Sequence, residues 1–313
     1  MPFKINTDLL KKLVPERKTQ PQSRQQKRLF NIDKASLDKQ VAKFMKERND
    51  FLNYAVKNGY KRDLVIENSQ VKNGLRTGDV YSVEYHDFTV TIVNKTKNRT
   101  TTLDLNYLLA GMSNVDKLKF LKTIQSLPGE VLEDLAIEVD TLISSTGKDM
   151  HILKESPGFL AGGYYSGNND EITTSEKHIV HELGHAMDFH GSKNESRVMN
   201  NKKFINAFNI GLKRFLKDGN KQYDYNDNPD LFRSGLSVIS HNSNYCTANP
   251  KELWAEIYTA LTTGTCNSYN TILKYFPEAL EIGKNLLEEI RNESRSTRHA
   301  SKRIQNPLSR FGV

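Results

Sequence analysis

The stretch His178 to Gly191, HIVHELGHAMDFHG, contains the pentapeptide His-Glu-Leu-Gly-His at residues 181–185. Apolar residues at 179, 180, 183, 186, 187 and 189 predict a helix that starts near Ser175 and is buried over most of its circumference. Residues four apart share a helix face, so His181 and His185 present their imidazoles side by side. On a buried helix such groups need partners, because an unpaired buried polar group costs on the order of several kcal/mol. Gly184 costs about 1 kcal/mol relative to alanine inside a helix. Its presence predicts another backbone passing close by.

This spacing suits a metal ion. Zinc takes neutral imidazole nitrogens at about 2.0–2.1 Å, and Glu182, next to the first histidine, is placed to act as a general base on a water at the metal. We therefore expect one Zn2+ per chain, held by His181 and His185. The pentapeptide alone also arises by chance, so a third protein ligand has to be found. The metzincin pattern requires glycine at 188 and histidine at 191, whereas the chain has Asp188 and Gly191, with His190 one residue out of register. Asp188 shares the face of His181 and His185 and is expected to accept a hydrogen bond from a ligand imidazole and fix its tautomer, with direct coordination as the alternative. Downstream, NPKELWAEIY places Glu252 and Glu256 four apart on a helix that Trp254, Ile257 and Leu261 would bury. Glu252 is assigned as the ligand and Glu256 as its outer partner; the exchanged roles are the alternative.

The rest of the chain gives this segment its setting. At 313 residues, 37% hydrophobic and 26% charged, it has the composition of a globular protein with a real core. No run approaches the roughly eighteen apolar residues of a membrane span. The first residues lack the apolar core of a secretory signal, so we expect a cytoplasmic protein or one exported by a signal-independent route. Residues 1–30 carry eight Lys/Arg against two acids and residues 291–313 six against one, so the tails hold +6 and +5 and the middle of the chain sums to −3 of the net +8. That distribution reads as solvated ends rather than a nucleic-acid platform. Cys246 and Cys266 are too few for a disulfide framework and read as free thiols.

Four segments follow: a basic, disordered tail at 1–34, an α+β unit at 35–149, a second unit at 150–292 and a basic tail at 293–313. In the first unit a helix with Ser36 as N-cap precedes VYSVEYHDFTVTIVN and RTTTLDL, whose alternation predicts a hairpin or small meander. Helical spacing then covers NVDKLKFLKTIQSL and PGEVLEDLAIEVDTLISS, the latter with Pro128 near its start. In the second unit SPGFLAGGYYSGNNDEITT predicts an edge strand or hairpin beside the site, and helices cover the segments after it. The fold class expected is α+β, mainly helical, with a small edge sheet.

With HELGHAMD and NPKELWAE both in view, the chain resembles the catalytic domain of anthrax toxin lethal factor and its smaller relatives, the bacterial Pro-Pro endopeptidases. That family carries His-Glu-Phe-Gly-His-Ala-Val-Asp and Asn-Glu-Ala-Glu-Phe-Phe-Ala-Glu types of helix. The likeness covers roughly 150–292 and is specific in the two helices and weak between them, where the segment from Gly191 to Asn244 is longer than usual. It implies a zincin-like metallopeptidase domain of the gluzincin kind, with Glu252 as zinc ligand and Tyr245, seven residues earlier, lying over the metal as a catalytic tyrosine. It also likens GGYYSGNNDEI to the family's strand before the active helix, where Tyr164 and Tyr165 are candidates to line a peptide groove or to pack inside. The function implied is zinc-dependent endopeptidase action on a protein or peptide substrate, as in a toxin or effector, with the 35–149 unit free to dock a partner. A cell-wall peptide hydrolase and a non-catalytic zinc-containing binding protein are the alternatives.

Overall fold

The computed structural model describes residues 34–68, 75, 78–109, 112–138, 142–145, 163–166, 171–174, 178–190, 195–224 and 244–304. Of the disordered tail expected at 1–34, residues up to 33 lie outside these residues; of the basic tail expected at 293–313, residues up to 304 instead continue the last helix, and those from 305 lie outside. Helix α1, Lys34–Lys57, starts two residues before the expected cap at Ser36. The chain divides within it, into a unit Met1–Asn53 and a unit Tyr54–Val313. Of the first unit only the helix is described. The second unit is mixed α and β, mostly helical, with two small sheets.

The first sheet is a four-stranded antiparallel meander in chain order: β1 Asp63–Asn68, β2 Tyr81–His86, β3 Thr89–Asn94 and β4 Arg99–Asp104. β2, β3 and β4 follow the predicted alternation, and β1 is an addition to it. Val83 pairs with Ile92, and Tyr85 with Val90, and all four are buried. The turns are closed by Asp87 and Asn98 in the left-handed region, at φ 51° and 46°, a conformation these short polar residues tolerate. A short helix α2, Leu105–Leu108, leads to α3, Asn114–Ser126, whose N-cap Ser113 accepts from the Asp116 amide at 3.2 Å. Two buried tyrosines tie the sheet to the helices beneath it. Tyr85 donates to the Ile124 carbonyl at 3.0 Å and Tyr81 to Glu133 at 3.0 Å.

Helix α4, Gly129–Ile137, ends earlier than its sequence suggests. The helical spacing read through Ser145 is overturned, since Leu142–Ser145 forms strand β5. A place in a ladder decides between two states that a short apolar and β-branched run can both adopt. The second sheet has the order β5-β7-β6. β7, Glu171–Thr174, runs parallel to β5 and antiparallel to β6, Gly163–Ser166, from Gly163↔Thr174 to Ser166↔Glu171. Among the described residues β6 therefore lies at an edge, paired with β7.

On this sheet packs α5, Ile179–Asp188, with His178 as its N-cap, so it begins some residues after the expected start near Ser175. A short turn of helix α6, Arg197–Asn200, precedes α7, Lys202–Lys217, where Asn201 accepts from the Phe204 amide at 3.0 Å. α7 turns Phe204, Phe208 and Phe215 inward. The centre of the unit is α8, Pro250–Thr263. Leu253, Trp254, Ala255, Ile257 and Tyr258 are wholly buried along it, each large apolar side chain contributing about 1.5–3 kcal/mol. Asn249 caps it by accepting from the Lys251 and Glu252 amides at 2.9 and 3.1 Å, and Gly264 ends it at φ 91°. Helices α9, Tyr269–Tyr275, and α10, Pro277–Ile304, complete the layer.

A buried charge cluster joins α4, α8 and α10. Arg291 donates to both carboxylate oxygens of Asp134 at 2.7 and 2.6 Å and to Glu130 at 3.0 Å. The Tyr258 hydroxyl donates to the same Asp134 at 3.0 Å. Burial pushes the Glu130 carboxyl up to about 7, against the pull of Arg291. Cys246 and Cys266 are free thiols. No helix among the described residues is long and apolar enough to cross a membrane.

Candidate metal centre

Gly184 lets α5 and α8 approach closely. A Cβ there would lie 3.0 Å from the Ala255 Cα and 3.0 Å from the Tyr258 ring. The junction is locked by the Trp254 indole, which donates to the Gly184 carbonyl at 2.7 Å. Next to this contact and about one turn before it on each helix, the polar groups of the two helices meet. Glu252 Oε2 lies 3.1 Å from His181 Nε2 and 3.3 Å from His185 Nε2. The ligand atoms offered by His181, His185 and Glu252 all lie within 4.8 Å of one another. A tetrahedral ion with bonds of about 2.0–2.2 Å holds neighbouring ligands about 3.3–3.6 Å apart. The two carboxylate–imidazole distances are within a few tenths of an ångström of that spacing.

The second nitrogen of His181 strengthens the case. Its Nδ1 lies 3.1 Å from Glu256 Oε1, while Glu256 Oε2 accepts from the Ser268 amide at 2.9 Å. A neutral imidazole has one N–H. With Nδ1–H donated to Glu256, the Nε2 lone pair faces the Glu252 carboxylate, and those two atoms repel unless a cation stands between them. A proton on each imidazole or one shared divalent ion meets that need. Burial would lower the basicity of His181, but Glu252 and Glu256 outweigh it and hold its imidazolium form well above the usual range. Burial likewise opposes ionisation of Glu252, and His185 and His181 reverse this and hold its carboxyl well below the usual range. Both shifts describe a site that calls for positive charge.

Glu182 lies beside these groups and is buried, with its Oε2 making no hydrogen bond. Burial raises its carboxyl, partly offset by His185 and His181. A buried, unsatisfied carboxylate oxygen costs about 1–3 kcal/mol or more, and a water at an ion held by the neighbouring ligands would supply the missing donor. The donor set and this orphaned oxygen together fit zinc.

The remaining candidates divide. Tyr245 opens a single turn of 3-10 helix, Tyr245–Thr247, and its ring centroid lies 5.6 Å from that of His181. Tyr165 on β6 reaches the end of α5, its ring 5.5 Å from that of Phe189. Tyr164 pairs with Thr173 in the ladder, and its side chain lies outside the described residues. Asp188 departs from expectation. Its carboxylate accepts from Ser196 Oγ at 2.6 Å and from the Val198 amide at 2.8 Å, so it fastens the segment after α5 instead of orienting an imidazole. His190 pairs with Glu138, away from the ligand cluster. Sequence reasoning missed Tyr223, whose ring meets that of Tyr245 edge-on at 5.2 Å and 78°. Its amide donates to Thr247 Oγ1 at 2.9 Å, and Gln222 donates to the Thr247 carbonyl at 2.9 Å, so this strand of chain braces the turn that carries Tyr245. Nothing in the periodicity around Tyr223 signals this; only its aromatic character could have. No protein-family model matches the chain, and a search of curated proteins finds no match.

Proposed function

We propose that the chain is a zinc-dependent endopeptidase of zincin-like fold, with His181, His185 and Glu252 as zinc ligands and Glu182 as general base. The observation that carries this reading is the unpartnered Oε2 of Glu182, buried beside three convergent ligand atoms. A structural zinc site is closed by four protein ligands and has no use for an adjacent base, whereas three ligands leave a position open. Bound there, zinc would polarise a carbonyl and bring the pKa of a water down to about 7.

The chain's own groups divide the remaining work. Glu182 takes the proton of the attacking water and returns it to the leaving amine. Glu256 holds the His181 tautomer that leaves Nε2 available. The Tyr245 phenol donates to the carbonyl oxygen as negative charge grows on it. β6, at the sheet edge, offers its backbone to an extended peptide, with Tyr165 beside it, by strand addition.

Glu182→Gln tests the assignment. The amide keeps the shape of the side chain and cannot accept the proton. Zinc content should stay at about one per chain while cleavage of a peptide mixture falls by about 10²–10⁴-fold. Cleavage at an undiminished rate would remove Glu182 from the mechanism.

A further inference from the structure

Beside the metal ligands is a cation with no task in the chemistry above. Lys251 sits in the first turn of α8, directly before Glu252. Its Nζ lies over the Phe189 ring, 5.2 Å from the centroid, and the Phe189 ring in turn meets Tyr165 on β6. Three elements that frame the site thus build one shelf of two aromatic faces topped by an ammonium. Lys251, Phe189 and Tyr165 are all partly exposed.

Local stability does not explain this lysine. The N-terminal turn of a helix favours negative charge, so an ammonium there opposes the helix dipole. Among the described residues no carboxylate lies within ion-pair distance of its Nζ. Its charge reaches buried Asp188, whose oxygens are already engaged by Ser196 and Val198. The cation–π contact holds the head group in place, and among the described residues its N–H donors have no other partner.

We infer that Lys251 is a specificity residue that recognises a carboxylate on the substrate, with the Phe189 and Tyr165 rings taking the aliphatic stem that carries it. The inference rests on the peptidase reading and names its substrate class: peptides with an acidic group close to the cleaved bond. That group is an acidic side chain or the C-terminal carboxylate of a short peptide, and blocked peptides separate the two.

The test is a cleavage profile of the zinc-loaded full chain on acetylated, amidated peptides that differ only in Glu or Gln at each position, with free-acid versions alongside. Wild type should prefer Glu at one position by about five-fold or more, as for a partly desolvated ion pair. The preference should shrink between low and high salt, vanish in Lys251→Gln, persist in Lys251→Arg and turn toward Lys in Lys251→Glu. A preference confined to the free acids assigns the site to the C-terminal carboxylate. Cleavage with no carboxylate preference, or with one unchanged in Lys251→Gln, overturns this inference and leaves the peptidase standing. Absence of any cleavage by protein that holds zinc overturns both.

Discussion

Gly184→Ala tests the close approach on which the candidate metal centre depends. In an ordinary helix the change stabilises by about 1 kcal/mol. Here the new methyl would lie 3.0 Å from two carbon atoms on α8, about half an ångström inside the optimum for carbon contacts. Neither neighbour can yield cheaply. One is the Ala255 Cα, part of the helix backbone. The other belongs to Tyr258, wholly buried and held by its hydroxyl to Asp134. The Trp254 bond to the Gly184 carbonyl resists separation of the helices. Overpacking of this kind costs about 1–3 kcal/mol, and two simultaneous contacts place it in the upper part of that range. The net expectation is a loss of about 1–2 kcal/mol, or about 2–8 °C in Tm for a unit of this size. Urea or thermal unfolding should be measured on metal-free protein, so that ion binding does not enter the difference. A zinc titration should then show weaker binding, because moving α5 off α8 by a few tenths of an ångström widens the spacing between Glu252 and the imidazoles. If metal-free Gly184→Ala is as stable as the parent or more so, the reasoning fails.

Glu256→Gln should weaken zinc affinity by about 10–100-fold: its amide can accept from His181 only by turning an NH2 toward the Ser268 amide, another donor, and competition with a chelator would read the loss. Unchanged affinity would show that the His181 tautomer is set elsewhere. Glu130 gives a pH prediction. Its folded pKa of about 7 stands above an unfolded value near 4.5, so the folded state holds this proton more tightly and the resulting stability is lost as pH rises from about 4.5 through 7. Relative to Glu130→Gln, the parent should therefore lose up to about 3 kcal/mol across that window; parallel unfolding curves in the two proteins would refute the assignment.

The sequence was most legible where one period governs a continuous segment. Spacing by four put His181 beside His185 and Glu252 beside Glu256, and alternation marked β2 to β4. The pairing between the two helices, 71 positions apart for His181 and Glu252, had no local signal; a buried polar pair on each helix implied only that partners exist. Where a segment's state depends on a remote neighbour, reading failed. Leu142–Ser145 follows a helical pattern and becomes a strand because β7 is there to pair with it. Asp188 lies on the ligand face yet bonds forward to Ser196 and Val198, since a short side chain at a helix end readily caps the next segment. Tyr223 and Lys251 owe their places to packing between elements, which no spacing in the chain encodes.

Asn249 has a consequence for the kinetics of the centre. It fixes the end of α8 by accepting two amides, one of them that of Glu252 itself, so a candidate ligand occupies the part of a helix that frays first. His181 is likewise the third residue of α5 and His185 lies in its last turn, and the start of α5 has no side-chain cap at His178. Ion departure should therefore begin by fraying of an end turn, sooner at the uncapped start of α5 than at Asn249. Hydrogen exchange at the start of α5 should slow on metal loading more than that of the amides Asn249 binds.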